Sequence, residues 1–101
     1  MIRATTPTHV FKFDDDPSVW DEILITYKQD AVVIEKNKSD CVIDGNAKTA
    51  SVTLTQAETN RFCSGAPIKV QVRVAMNSGE AFASSVFSVP VQDVLNDEVL
   101  P

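Results

Sequence analysis

The sequence IKVQVRVAM, residues 68–76, decides the fold class, because its apolar and polar residues alternate without a break. One face would carry Ile68, Val70, Val72, Val74 and Met76, and the other Lys69, Gln71, Arg73 and Ala75. A period of two is typical of a β-strand with one face in a core, and Val, which is β-branched, packs well on a pleated surface. We therefore predict a β-strand over residues 68–76.

Two β-hairpins are predicted before this strand. Residues 23–27 have the alternation of a central strand, and residues 31–35 resume it after a short polar turn. In the second hairpin, residues 41–43 and 48–55 are joined through Asp44-Gly45-Asn46, whose residues tolerate the positive φ of a tight turn.

A first strand and a last strand complete the pattern. Residues 8–13 place His9, Phe11 and Phe13 on one face, before Asp14-Asp15-Asp16-Pro17 breaks the strand. Residues 81–91 form a long last strand whose alternation slips at Ala83-Ser84-Ser85, which predicts a β-bulge. Pro90 has no amide proton, so it should point away from a partner strand or lie where the sheet ends.

One short helix is predicted near residues 56–62. Thr55 and Glu58 have the spacing of a capping box, in which each side chain accepts a hydrogen bond from the other residue's backbone amide. Ser64, Gly65 and Pro67 close the helix, and Phe62 is expected to enter the core beside Trp20 and Tyr27.

These elements predict an all-β fold, an antiparallel β-sandwich of about seven strands with one short helix near Gln56–Phe62. A chain of 101 residues has room for one domain and one core. We assign residues 1–92 to this domain and residues 93–101 to a C-terminal tail.

Composition excludes several classes of protein. A net charge of −5 argues against nucleic-acid binding, which needs clustered Lys and Arg. No apolar run approaches the roughly 20 residues that span a bilayer, and the first residues lack the apolar core of a signal peptide. We therefore expect no membrane contact and a protein that is made and kept inside the cell.

The spacing of Cys41 and Cys63 supports no zinc site, and two free, largely buried thiols are favoured over a disulfide.

No catalytic or cofactor-binding pattern is present, so no enzymatic activity, cofactor or metal is predicted. His9 is the only histidine and is expected at the surface of an edge strand. The carboxylates of residues 14–16 are adjacent rather than alternately spaced and have no Gly among them, which favours a solvated turn over a calcium loop.

The tail offers a candidate interface. Its residues Val94, Leu95, Val99 and Leu100 recur at roughly helical spacing on a segment with no strand partner of its own. Two interpretations stay open, a flexible tail that packs loosely on the domain and a docking segment that becomes ordered on a neighbouring subunit. A second candidate interface is the polar face of the strand at 68–76, which carries Lys69, Gln71 and Arg73.

Two resemblances are carried by particular segments. Residues 54–58 followed by IKVQVRVAMNSGEAFASSVFSV resemble the last strands, E to G, of a fibronectin type III or immunoglobulin-like module. The segments TPTHVF, ITYKQ, VTLTQAET, VQVRV and VQDVLNDEVL together resemble a family of small prophage-encoded proteins found among tail and baseplate genes. The second resemblance implies a structural role in a virion and brings no catalytic residues with it.

The preferred hypothesis is a non-enzymatic phage or prophage structural or assembly module, a tail or baseplate component. Its partners would be proteins, either further copies of itself in a homo-oligomer or other tail components. It would be found in the virion, or in the host cytoplasm during assembly. The alternative is a carbohydrate- or cell-surface-binding immunoglobulin-like module, which would need exposed aromatic side chains such as Trp20 and Tyr27.

Overall fold

A computed structural model describes all residues, Met1–Pro101. The chain forms eight β-strands, one α-helix and two short 3-10 turns, at residues 17–19 and 38–40. The strands are β1 (Thr8–Lys12), β2 (Glu22–Gln29), β3 (Val32–Asn37), β4 (Val42–Asp44), β5 (Thr49–Thr53), β6 (Ile68–Ala75), β7 (Ala81–Ala83) and β8 (Phe87–Val89), and the helix is α1 (Gln56–Thr59). No helix has the length and apolar content to cross a membrane.

The strands form two antiparallel sheets, as the predicted β-sandwich requires. Sheet 1 has three strands in the order β1-β5-β4, and β1 lies at its edge. Sheet 2 has the order β3-β2-β6-β7, with β8 also paired to β6. Sheet 2 is therefore four strands wide, because β7 and β8 follow one another along the same side of β6.

The strand predicted over residues 68–76 is confirmed as β6, which pairs with β2 on one side and with β7 and β8 on the other. Its partners Ile23, Ile25 and Tyr27 lie opposite Val74, Val72 and Val70. Both predicted hairpins, β2–β3 and β4–β5, are also present.

The predicted bulge interrupts the last strand. Arg73 pairs with Ala83 and Val70 with Phe87, so two residues of β6 lie opposite the three residues 84–86. The Ser84 hydroxyl accepts a hydrogen bond from the Val72 amide at 3.0 Å, while the Ser84 amide donates to the Val72 carbonyl at 2.8 Å. The extra residue divides the predicted strand 81–91 into β7 and β8, which raises the strand count from about seven to eight. Pro90 follows directly after β8, where the sheet ends.

The core lies between the sheets. It contains Trp20, Tyr27 and Phe62, as predicted, together with the inward residues of β2, β5 and β6. Trp20 packs edge-on against Phe13, whereas Tyr27 lies against His9, so the aromatic residues form separate pairs.

The predicted capping box is confirmed at α1. The Glu58 amide donates to the Thr55 hydroxyl at 3.1 Å, and the Thr55 amide donates to Glu58 Oε1 at 2.9 Å. The turn of the second hairpin differs from its prediction, because the positive φ falls on Lys48, at 58°, and not on residues 44–46. The Asp44 carboxylate accepts the amides of Asn46 and Ala47, which lets the turn extend to Lys48.

The two ends of the chain run side by side. Ile2 forms a parallel bridge with Gln92, the Arg3 amide donates to the Gln92 carbonyl, and the Gln92 amide donates to the Met1 carbonyl. The N-terminal amine donates to the Pro90 carbonyl at 2.6 Å. The first residues therefore extend the hydrogen bonding of the chain just beyond β8.

Candidate functional site

A groove runs between β1 of sheet 1 and the β7–β8 side of sheet 2. Sheet 1 is three strands wide and sheet 2 is four strands wide, so the inner face of β7 and β8 is left uncovered. Phe82 and Phe87 pair with Val74 and Val70, which places them on the inner face, yet they are 53% and 45% exposed. Inward-facing aromatic side chains are normally buried, so the groove is an uncovered strip of core.

The groove has two sections, one after the other. The first has a volume of about 520 Å³, with Tyr27 and Val70 among its lining residues and His9, Phe11 and Phe87 beside them. The second has a volume of about 400 Å³ and is lined by apolar residues that include Phe13, Trp20, Val74 and Phe82. Asp14 and Asp15 also line the second section.

The backbone of β1 faces this groove with an unpaired edge. The Phe13 amide donates to the Lys48 carbonyl, and the Leu54 amide donates to the Pro7 carbonyl. Odd-numbered residues of β1 therefore bond to β5, and by the alternation of an antiparallel ladder the backbone groups of Thr8, Val10 and Lys12 point the other way. Three residues on this edge thus present free donors and acceptors.

The opposite rim of the sandwich is closed. Lys36 on β3 and Glu58 on α1 form an ion pair at 2.8 Å, with side chains only 15% and 24% exposed. Natural proteins protect free sheet edges with charges, short strands or covering segments. The β3 side has such protection, while β1 carries one charged residue, Lys12, and Val10 on its outer face is 62% exposed.

His9 is not the surface residue that was predicted. It lies half-buried on the inner face of β1, and its Nδ1 atom is 2.7 Å from the Tyr27 hydroxyl. Burial lowers the pKa of His9, and the charge of the N-terminal amine lowers it further. Burial likewise raises the pKa of Tyr27. The prediction failed because the alternation 9, 11, 13 is the inward face of β1, and its polar member has a hydrogen-bonding partner on sheet 2.

The polar face of β6 lies outside the groove. Lys69 and Arg73 are exposed on the outer face of sheet 2, while the half-buried Gln71 donates to the Ser84 carbonyl at 3.0 Å. Gln71 therefore helps to hold the bulge, and only the other two side chains are free of such a contact.

The tail lies on its own domain in an extended conformation, with no helix over residues 93–101. Arg3 forms ion pairs with Asp93 at 2.7 Å and Asp97 at 3.2 Å. Gln56 donates to the Leu100 carbonyl and accepts from the Leu100 amide. The backbone and acidic groups make these contacts. Val94 is half-buried, and Leu95, Val99 and Leu100 are exposed. No hydrogen bond or ion pair joins the tail to the polar face of β6.

The cysteines and the acidic run occupy other places. Cys41 and Cys63 are unpaired, as expected, but Cys63 is exposed and Cys41 only half-buried, so the expectation of largely buried thiols is wrong. Neither cysteine lines the groove that contains His9. Asp16 accepts the Ser18 amide at 2.8 Å at the start of the 3-10 turn. Hydrogen bonding from the Ser18 side chain, and then from its amide, lowers the pKa of Asp16. No group of three or more His, Cys, Asp or Glu side chains is placed to hold a metal ion.

Comparison with known proteins finds no match to this chain, either among protein-family models or among curated proteins. The prophage resemblance thus stays a prediction. The groove was not predicted, although most of its lining residues lie in predicted strands. Alternation assigns Phe82 and Phe87 to a face, but only the relative width of the two sheets leaves that face uncovered.

Proposed function

We propose that this protein is a non-enzymatic assembly module that acts through protein–protein contacts, and that the groove is its binding surface. One observation carries the proposal. An apolar groove with Phe82 and Phe87 half-exposed lies beside the unpaired edge of β1. Contiguous apolar patches on a soluble protein are typical of interaction sites, and unpaired strand edges are typical sites of strand addition.

The strand order supports an immunoglobulin-like module as the finer description. Immunoglobulin-type sandwiches place strands A, B, E and D in one sheet and C′, C, F and G in the other. The orders β1-β5-β4 and β3-β2-β6-β7 match B-E-D and C′-C-F-G. Under this correspondence strand A is absent beside β1, which is where the groove lies, and residues 1–3 run beside the end of strand G. Folds of this kind host many unrelated functions, so the groove, and not the fold, supports the proposed function.

The phage setting of the proposal rests on the sequence segments that resemble prophage tail and baseplate proteins. An assembly module with one open edge suits such a role, because a virion is built from repeated protein contacts. The carbohydrate-binding alternative needed Trp20 and Tyr27 as exposed platforms, and both are buried, at 8% and 1% exposure. We therefore do not propose it.

Light scattering after size-exclusion chromatography tests the proposal, combined with pull-down of candidate tail and baseplate proteins by the purified full-length chain. We expect a defined oligomer or a stable complex. The variant Phe87→Glu should abolish it, since a charge in the groove opposes burial. Leu95→Glu is the matched control, because Leu95 is fully exposed on the tail. A monomer that retains no tail or baseplate protein would overturn the proposal.

A chain that ends at Gln92 separates the groove from the tail as the interface. If the tail were the docking segment, this truncation would abolish the oligomer or complex and Phe87→Glu would leave it intact. We expect the reverse.

A further inference from the structure

We infer that the groove binds one extended segment of another protein, antiparallel to β1, with alternate large apolar residues and a Lys or Arg at its N-terminal end. This inference rests on the proposed function and names the partner of the same groove. It follows from four features, which are the missing strand in sheet 1, the division of the groove into two sections, the free edge of β1 and the acidic residues at one end.

A single strand has the right width. Sheet 1 ends at β1, and the strand that would come next in sheet 1 would lie over Phe82 and Phe87. Every pair within the two sheets is antiparallel. A strand added antiparallel to β1 would continue that pattern and would cover the exposed aromatic side chains.

A second copy paired through β1 does not fit the same space. Each copy extends its β7–β8 strands one strand width beyond β1. If β1 paired with the β1 of another copy, the β7–β8 strands of each copy would collide with β6 of the other copy. An extended segment without a second layer avoids this collision.

The hydrogen-bonding edge sets the register. Thr8, Val10 and Lys12 direct their backbone groups outward, so three partner residues exchange hydrogen bonds with them. Cross-strand neighbours share a face. Partner residues opposite Phe11 and Phe13 therefore point inward, about 7 Å apart along the strand, one toward each groove section.

Charge at one end of the groove specifies the residue type at one end of the partner segment. Asp14 and Asp15 follow β1 and line the second section, and neither carboxylate has an ion-pair or hydrogen-bond partner in the chain. In an antiparallel partner the N-terminal end lies beside this end of β1. A Lys or Arg at that position would meet two unpaired carboxylates.

The tail of this chain has the wrong charge for the groove. Asp97 and Glu98 interrupt its apolar residues. They would bring further negative charge toward Asp14 and Asp15, and Asp97 is already paired with Arg3.

A displayed library of random ten-residue peptides tests the inference on the full-length protein. We expect enrichment of sequences in which apolar residues alternate with polar ones after an N-terminal Lys or Arg. Binding of the selected peptide is then measured by calorimetry and by fluorescence of Trp20, the only tryptophan, which lines the second section. Replacing the basic residue by Glu should weaken binding about two- to five-fold, the range of exposed ion pairs.

Two variants of the peptide test the register without altering the protein. N-methylation of the amides that face β1 should weaken binding at least about ten-fold, since each removes a hydrogen bond and adds a steric clash. N-methylation of the alternate amides should have little effect.

Phe87→Ser should weaken binding about ten-fold, and Leu95→Ser, the control, should leave it unchanged, with folding of both checked by circular dichroism.

Several results would overturn the inference. These are no enrichment of alternating sequences, equal binding of the two N-methylated peptides, or unchanged binding to Phe87→Ser. If any of them occurs while the protein still forms an oligomer or tail complex that Phe87→Glu abolishes, the proposed function stands and only the partner assigned here is wrong. If no assembly is found either, both fail.

Discussion

The Nδ1 atom of His9 and the hydroxyl of Tyr27 lie 2.7 Å apart and join the two sheets across the floor of the groove. β1, the edge strand of sheet 1, and β2, a central strand of sheet 2, are thereby connected by a polar contact within an otherwise apolar layer. Buried polar groups require such partners. The pair also makes the stability of the protein depend on pH.

Stability should fall as the pH decreases from 7 to 5. Burial lowers the pKa of His9 below its ordinary value of 6.5, so the unfolded chain binds a proton in this range more readily than the folded protein. The free energy of unfolding should therefore decrease through this window and level off below the folded pKa. Urea denaturation at several pH values measures this, with His9→Gln as the comparison. The carboxyl groups with lowered pKa, those of Asp16, Glu22, Glu58 and Asp93, affect stability at lower pH. Identical pH profiles for the two proteins would contradict the assignment.

Gln29→Leu should destabilise the protein by about 3 kcal/mol, because it leaves three partly buried backbone groups without their partner. Gln29 is 5% exposed. Its side-chain amide donates to the carbonyls of Cys63 and Ala66, both at 2.7 Å, and its side-chain oxygen accepts from the Cys63 amide at 2.8 Å. Lys28→Leu is the control, because Lys28 is the exposed neighbour on the same strand. Equal free energies of unfolding for the two variants would show that the loop before β6 does not depend on Gln29.

Ser84→Ala should loosen the bulge and destabilise the protein by about 1 kcal/mol. The Val72 amide then loses its acceptor, since it bonds to the Ser84 hydroxyl. Hydrogen exchange at the Val72 amide should become faster, which provides a local measurement beside the global one. Ser85→Ala is the matched control, because only the Ser85 carbonyl accepts a hydrogen bond. Unchanged exchange at Val72 in Ser84→Ala would refute this role of the hydroxyl.

Thr55→Ala should cost about 1 kcal/mol, the usual loss for an N-cap hydroxyl. The effect should reach beyond the one-turn helix, because Glu58 of the capping box also pairs with Lys36 on β3. Thr6→Ala, at an exposed position, is the control. Thermal unfolding followed by circular dichroism gives the comparison, and equal transition temperatures would mean that the cap contributes nothing.

Arg3→Gln should release the tail with little loss of global stability. Both ion pairs of Arg3 join it to carboxylates that are more than half exposed, and exposed pairs contribute about 1 kcal/mol or less. The Leu100 amide, which donates to Gln56, should exchange several-fold faster with solvent. Arg61→Gln removes an exposed arginine that has no ion pair and should leave exchange unchanged. A tail that exchanges equally in both variants would show that Arg3 does not hold it.

The secondary structure was largely predictable, because it depends on local patterns. Alternation in residues 68–76, the capping spacing of Thr55 and Glu58 and the small residues at 83–85 each act over a few neighbouring positions. β6, α1 and the bulge follow from them. The turn at Lys48 was less predictable, since side-chain hydrogen bonds from Asp44 decide where the positive φ falls.

By itself, the sequence determined the all-β class, the hairpins and the inward residues of each strand. Alternation with a period of two specifies which side chains share a face. Only the tertiary structure decided whether a given face is covered. His9 and Phe87 both belong to inward faces, yet His9 finds Tyr27 on the opposite sheet and Phe87 finds no strand above it. That difference comes from one sheet being a strand narrower than the other. The width of each sheet depends on pairing between strands far apart in the sequence, which no local pattern encodes.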